Sequence, residues 1–217
     1  MKPADLAAAR DRTIPDVLPG PADPPLRVLF CGINPGLVSA ATGHHFARPG
    51  NRFWPVLHGS GFTPRRLRPD EQDLLPSLGL GITNIAPRAT ARADELSTAE
   101  LVSGGDRLRD LVRDLRPSAL GVVGITAYRV AFAIPRAIVG PQPPVDYHNL
   151  SPERSNPTAD YCNLSPERPP VDGATLVWAL PNPSGLNAHW SLAAMVAEFV
   201  RFRLAAAAPP DAPDVSG

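Results

Sequence analysis

Four short apolar runs predict the strands of a buried sheet. They are rich in valine, isoleucine and leucine, and glycine or proline stands at or near the ends of each. The runs lie at residues 26–32, 79–87, 119–125 and 175–180. Because none shows a sustained alternation of apolar and polar residues, we expect strands that are covered on both faces.

Apolar residues at helical spacing lie between and after these runs. Ser97 and Glu100 form a capping box at the start of the longest predicted helix, 97–115. Shorter helices are predicted at 51–58, at 69–78, through Tyr128 and Phe132, and at 192–200. Strands that alternate with helices predict an α/β fold with a mostly parallel sheet.

Polar motifs follow three of the four strands. They are Ile33-Asn-Pro-Gly36, Thr83-Asn-Ile-Ala-Pro87 and Asn182-Pro-Ser-Gly-Leu186. In parallel sheets, binding sites form beyond the carboxyl ends of the strands. We therefore expect the three motifs to lie together in space.

The 28 prolines predict the domain organisation. Six lie in residues 1–25, eight in 141–170 and three in 209–217. Proline fixes φ and removes a hydrogen-bond donor, so dense prolines disfavour helices and central strands. The sequence thus predicts a flexible tail at 1–25, one domain at 26–208 with an inserted loop at about 141–172, and a disordered tail at 209–217.

The predicted inserted loop contains a duplication. Residues 146–154 recur at 160–168 with eight of nine positions identical. Two copies are too few for a repeat architecture, so a surface loop is the simpler interpretation and a partner-binding role is the alternative.

Charge and cysteine content narrow the class of protein. The 21 basic and 21 acidic residues cancel, which excludes a generally polycationic surface but not a local basic cleft. Cys31 and Cys162 form neither a disulfide framework nor a metal-ligand pattern, so we expect a cytoplasmic protein without a metal or cofactor. The chain lacks an apolar run long enough for a membrane span, and no membrane association is predicted.

Four sequence features, taken in order, carry a resemblance to a known family. They are Gly32-Ile-Asn-Pro-Gly-Leu37, Phe46, Asn51-Arg-Phe-Trp54 and Asn182-Pro-Ser-Gly-Leu186. With these features the chain resembles the mismatch-specific uracil/thymine DNA glycosylases of the uracil-DNA glycosylase superfamily.

The resemblance covers about residues 26–134 and 174–204. It implies a three-layer α/β/α fold and monofunctional removal of uracil, or of thymine or a modified cytosine, mispaired with guanine. Double-stranded DNA with a mismatched or damaged pyrimidine would be the partner, bound by a monomer. The alternative is a non-catalytic nucleic-acid or nucleotide binding module on the same fold, although the Gly-x-Gly-x-x-Gly pattern of dinucleotide sites is absent after the first strand.

Asn34 and Asp94 are the candidate catalytic residues. Cleavage of an N-glycosidic bond leaves negative charge on the departing base and requires a positioned water. The Asn34 amide oxygen can accept a hydrogen bond from that water, but an amide is a poor base and supplies orientation rather than proton removal. Asp94 could activate the water if its loop covers the pocket, or it could be exposed to solvent or cap the next helix.

Ile33, Phe46 and Asn84 are the candidate base-binding residues. By the resemblance, Phe46 stacks on the extruded base, with a core phenylalanine as the alternative. Ile33 would contribute main-chain groups to the pyrimidine edge. Asn84 would bind the base or the water, or would only fix the end of its strand.

The motif after the fourth strand is the candidate DNA wedge. An apolar side chain can fill the gap that a flipped base leaves, and Leu186 suits this role. The neighbouring main chain would contact the guanine of the opposite strand, so the full set comprises Asn182, Pro183, Ser184, Gly185, Leu186 and Asn187. The arginines that could contact phosphates around the site are Arg48, Arg52, Arg65, Arg66, Arg68 and Arg88.

Overall fold

The computed structural model describes residues 2–143, 175–185 and 187–207. The duplicated segment, most of the predicted inserted loop, the predicted C-terminal tail and Leu186 lie outside these residues. None of the described helices has the length and apolar character needed to cross a membrane.

A five-stranded sheet forms the centre of the molecule. Its strands are β1 (Val28–Gly32), β2 (Leu80–Asn84), β3 (Ala119–Val123), β4 (Gly140–Gln142) and β5 (Leu176–Leu180). They are arranged in the order β2-β1-β3-β5-β4, with the first four parallel and β4 antiparallel at the edge. All residues of β1, β2 and β3 are buried, which explains the uninterrupted apolar runs.

Six α-helices accompany the sheet in the described part of the chain. They are α1 (Pro3–Ala8), α2 (Leu37–Thr42), α3 (Phe53–Gly59), α4 (Thr98–Leu115), α5 (Ile125–Ala131) and α6 (Leu192–Ala207). The Ser97 hydroxyl accepts from the Glu100 N–H at the start of α4, as the capping box predicts. The predicted helix at 69–78 is instead two short 3-10 helices, Pro69–Leu74 and Pro76–Leu78, because Pro76 cannot donate the backbone hydrogen bond that would continue the first.

Two hydrophobic clusters cover opposite faces of the sheet. Phe30 of β1 packs with Phe53 of α3 and Phe199 of α6 in one cluster. The adjacent residue, Leu29, lies in the other cluster with Leu108 of α4. Successive side chains of a strand point to opposite faces, so one strand supplies both clusters and the fold is a three-layer α/β/α structure with a mostly parallel sheet, as predicted.

The segment predicted as a flexible N-terminal tail is packed against the domain. Its first helix, α1, ends beside Ala9, which is fully buried, and Ile14 and Val17 are also buried. The Val17 and Ile82 backbones exchange two hydrogen bonds of 2.8 Å across the free edge of β2. The prediction was wrong for residues 9–17 because prolines tolerate extended backbone, and the apolar residues between them pack on the sheet edge.

Strand β4 was not predicted, because Pro141 lies at its centre. Proline is compatible with an edge strand, where its missing N–H need not pair with a neighbour. Among the described residues β4 pairs with β5 alone, so the structure accommodates this proline at the edge of the sheet.

Candidate functional site

The carboxyl ends of β1, β2 and β5 open into one cavity of about 390 Å³. Asn34 follows β1, Asn84 ends β2 and Asn182 follows β5, and all three line this cavity. The three polar motifs are therefore brought together, as expected from the parallel arrangement of their strands.

The Asn34 side chain is fixed by two hydrogen bonds. Its Nδ2 donates to the Arg88 carbonyl at 2.9 Å and to the Thr90 hydroxyl at 2.7 Å. The Thr90 hydroxyl in turn donates to the Arg92 carbonyl at 2.7 Å, so it can only accept from Asn34. Both amide protons are thus used, whereas the Asn34 Oδ1 accepts from none of the residues that the structure describes. This oxygen can hold a water molecule or a polar ligand atom.

Asn84 is oriented by His45, a residue that the sequence interpretation missed. The His45 Nε2 lies 3.0 Å from the Pro15 carbonyl, and its Nδ1 lies 3.3 Å from the Asn84 Nδ2. A carbonyl only accepts, so Nε2 carries the proton and Nδ1 accepts from Asn84. Burial lowers the pKa of His45, in agreement with a neutral ring.

The Asn84 amide oxygen lies against Gly32 of β1. A Cβ atom at position 32 would overlap this oxygen, so a larger residue would displace the Asn84 side chain. Asn84 itself is 5% exposed and lines the cavity. The position of the Asn84 side chain therefore depends on Gly32, the last residue of β1.

Phe46 both packs against the core and lines the cavity. Its ring stacks on Phe53 with a centroid distance of 4.0 Å and an interplanar angle of 18°. The side chain is half buried, and its ring edge lies 3.3 Å from the position that a Gly32 Cβ would occupy. The two interpretations of Phe46 are thus compatible, because one ring can pack on the core and still border the cavity. Ile33 also lines the cavity, and its carbonyl accepts from the Ala86 N–H at 2.9 Å.

Asp94 lies at the rim of the same cavity. It belongs to a 3-10 helix, Ala93–Glu95, and its side chain is 62% exposed and ion-paired with Arg92. Helix α4 is capped by Ser97, so Asp94 is not its N-cap. The carboxylate therefore borders the opening of the cavity in an exposed position.

The described residues of the 182–187 loop are tied together by two asparagines. The Asn182 Oδ1 accepts from the Ser184 N–H at 2.9 Å, and the Asn187 Nδ2 donates to the Asn182 carbonyl at 2.9 Å. Gly185 lies so close to Gly50 that a Cβ would approach the Gly50 carbonyl oxygen to 2.7 Å. Ser184 and Pro183 line the cavity beside Asn182.

Arg52 holds this loop from the neighbouring segment. Its Nη2 donates to the Ser184 and Asn187 carbonyls at 2.9 and 2.7 Å, and its Nη1 donates to the Trp190 carbonyl at 2.6 Å. The Arg52 N–H also donates to the Pro183 carbonyl at 2.9 Å. Both Nη atoms of Arg52 thus bind carbonyls of the protein, which leaves fewer donors for the expected phosphate contact.

Most of the other candidate phosphate ligands are also paired. Arg88 binds Asp11 and Glu100, and its hydrogen bond with Glu100 lowers the pKa of that carboxyl to about 2. Arg65 pairs with Glu71, and Arg68 pairs with Asp70. Within the described ranges, Arg48, Arg52 and Arg66 of the six form no ion pair. Arg52 binds carbonyls instead, and Arg48 lines the cavity.

Three site residues had no strong signal in the sequence. His45 directly precedes Phe46 and could have been considered as its polar neighbour. Thr90 and Ile14 belong to no recognised motif, although both line the cavity. Their roles depend on partners that are distant along the chain.

A comparison with protein families identifies a matching family model. The model described as the Uracil DNA glycosylase superfamily matches residues 19–204. This range covers most of the chain and includes all three polar motifs, so the chain belongs to this superfamily.

Proposed function

We propose that this member of the uracil DNA glycosylase superfamily removes uracil, and related damaged pyrimidines, mispaired with guanine in double-stranded DNA. Superfamily membership supports a glycosylase that acts on uracil in DNA. The observation that carries the catalytic assignment is the fixed amide of Asn34, a residue that lines the cavity. Both of its Nδ2 protons are used, and its Oδ1 accepts from none of the described residues.

The proposed reaction is hydrolysis of the N-glycosidic bond. The target nucleotide leaves the duplex and enters the cavity, where the base stacks on Phe46 beside Asn84. A water held by the Asn34 Oδ1 attacks C1′ of the sugar. The C1′–N1 bond breaks with its electron pair on the base, and the water loses its proton to solvent. No covalent intermediate with the protein is formed.

A weak base at position 34 should favour good leaving groups. The amide positions the water but removes no proton. The activation free energy of bond cleavage should therefore depend more strongly on how readily the base departs. Uracil and electron-poor cytosine derivatives leave as anions more readily than ordinary cytosine. A mismatched pair also opens at lower cost than a matched pair, which supports the proposed preference for uracil opposite guanine.

The 182–187 loop is proposed to contact the opposite strand. The resemblance assigns the wedge to Leu186 and the guanine contact to main-chain groups between Asn182 and Asn187. The described part of the loop lines the cavity and is fixed by Arg52, which would let the loop keep its conformation when DNA is distorted. Arg48 and Arg66 would then contact phosphates.

Single-turnover excision from a G·U duplex tests the proposal. The unsubstituted protein should release uracil and leave an alkali-labile site, and Asn34→Ala should slow this step by about a hundredfold through loss of water positioning. DNA binding, measured by fluorescence anisotropy, should change little. Binding without excision by the unsubstituted protein would instead identify a non-catalytic binding module.

Asp94→Asn in the same assay tests the second candidate group. If Asp94 activates the water, its amide variant should be slower on G·U and more strongly impaired on thymine, which leaves less readily than uracil. Equal rates for Asp94→Asn and the unsubstituted protein on both substrates would remove Asp94 from the mechanism.

A further inference from the structure

Residues 9–17, here called the N-terminal segment, support two walls of the cavity. The Asp11 N–H donates to the Ala89 carbonyl at 3.0 Å, and the Ala89 N–H donates to the Arg12 carbonyl at 2.9 Å. The Pro15 carbonyl lies 3.0 Å from the His45 Nε2. The segment is thus anchored at one end beside the loop that fixes Asn34 and at the other end to the histidine that orients Asn84.

Ile14 lies between these two anchor points. It is 8% exposed. Like Phe46, Asn84 and Thr90, it lines the cavity. Arg12 and Pro15, on either side of Ile14, contact Ala89 and His45. Ala89 adjoins the proposed water site, and His45 adjoins the proposed base site. The family match begins at residue 19, so this part of the wall comes from outside the matched region.

The chemistry of Ile14 restricts what it can contribute. A branched aliphatic side chain offers no hydrogen bond, so it can discriminate between ligands only by their size and shape. One methylene group in such a wall changes discrimination by about 10- to 200-fold. A wall of this kind would separate pyrimidines that carry the same hydrogen-bonding edge but differ in the bulk of a ring substituent.

We propose that Ile14 is a specificity-determining residue that limits the size of the pyrimidine accepted by the cavity. This inference rests on the proposed function, because it takes the cavity to be the site of the flipped base. The substrates that test this limit are uracils with a substituent at C5, because bulk added there leaves the hydrogen-bonding edge of the base unchanged.

Val17 provides a matched control within the same segment. It is 6% exposed and apolar like Ile14, but it belongs to the hydrophobic core and does not line the cavity. Truncation at either position should lower stability by a comparable amount. Only truncation of Ile14 should change the choice between substrates.

The test compares single-turnover excision of 5-bromouracil and 5-fluorouracil, each paired with guanine. Both halogens activate the leaving group, whereas bromine is much larger than fluorine. In Ile14→Ala, the rate ratio of 5-bromouracil to 5-fluorouracil should rise about tenfold above that of the unsubstituted protein. Ile14→Val should raise it less, and Val17→Ala should leave it unchanged.

The outcomes separate this inference from the proposed function. If the unsubstituted protein excises no uracil, the proposed function fails and the inference fails with it. If uracil is excised but Ile14→Ala and Ile14→Val keep the original ratio, the inference alone is wrong. The inference is also wrong if Val17→Ala changes the rate ratio as much as Ile14→Ala does. If Ile14→Ala does not fold, Ile14→Val provides the test. A rise in its rate ratio supports the inference, and an unchanged or lower ratio contradicts it.

Discussion

Two strand ends that border the same cavity are stabilised in different ways. After β1, Asn34 is held by the Arg88 carbonyl and the Thr90 hydroxyl, and the N-terminal segment supports the loop that carries both. After β5, three loop carbonyls and the Trp190 carbonyl accept from one residue, Arg52. The first region is supported by several segments, whereas in the second the Arg52 side chain alone supplies three hydrogen bonds.

The difference shows how each region should respond to substitution. A hydrogen bond to a charged donor contributes about 1.5–3 kcal/mol, and a buried acceptor left without a donor costs about 1–3 kcal/mol. Loss of Arg52 would leave several carbonyls without their donor at once. Loss of one partner of Asn34 would leave the other in place, so the effect there should be smaller.

The largest effect is expected from Arg52→Ala. Release of the 182–187 loop should reduce excision from a G·U duplex by about a hundredfold, equivalent to about 2.7 kcal/mol. The loss should be much smaller when the uracil lies opposite an abasic site, where less stacking must be broken. Single-turnover rates on the two duplexes measure this difference.

Arg203→Ala is the matched control for Arg52→Ala. Its Nε donates to the Ser60 carbonyl at 2.7 Å, and Arg203 does not line the cavity. This variant should reduce stability, but it should not change the ratio of the excision rates on the two duplexes. An equal loss on both duplexes in Arg52→Ala would contradict a specific role in the loop.

Thr90→Val should have an intermediate effect. The substitution keeps the shape of the side chain but leaves the Asn34 Nδ2 with only the Arg88 carbonyl as a partner. The Asn34 amide would be less well oriented, and the excision rate constant should fall about tenfold, equivalent to about 1.4 kcal/mol.

The control for Thr90→Val is Thr63→Val. Thr63 makes the same type of contact, from its hydroxyl to the carbonyl two residues later, at 2.8 Å compared with 2.7 Å for Thr90. Thr63 does not line the cavity, so its variant should keep the normal rate. A similar slowing in both variants would show that a structural loss, rather than the orientation of Asn34, is responsible.

The smallest effect concerns His45 and the pH dependence of stability. Burial lowers the pKa of His45 below its ordinary value of 6.5, against the raising effects of its bond to Pro15 and the charge of Asp16. Below pH 6.5 the unfolded chain binds a proton that the folded protein does not. The contribution of neutral His45 to the free energy of unfolding is therefore fully present above pH 6.5. It declines as the pH falls, by at most about 1.4 kcal/mol per pH unit.

Denaturant unfolding between pH 7.5 and 5.5 measures this loss. His45→Gln should show a shallower decline than the unsubstituted protein, because position 45 then carries no titrating group. Equal slopes in the two proteins would mean that protonation of His45 is not linked to stability.

Local patterns determined the four parallel strands and the positions of the motifs. An apolar run such as 119–125 predicts its own burial, because apolar side chains on both faces of a strand need cover on both sides. The parallel arrangement then places Asn34, Asn84 and Asn182 at one edge of the sheet. These conclusions require information from only a few neighbouring residues and from general rules of α/β folds.

Tertiary structure alone decided how the side chains at that edge are held. Arg52 and Trp190 are separated by 138 positions, and His45 binds a carbonyl 30 positions before it. No local pattern identifies such partners, because the residues next to an arginine in sequence do not show whether its side chain is exposed or binds a distant carbonyl. Ile14 was likewise assigned to a tail, although the folded chain places it in the cavity wall. The sequence by itself determined the four parallel strands, four of the six described α-helices and which polar groups meet. Packing between distant segments determined which of those groups remain available for chemistry.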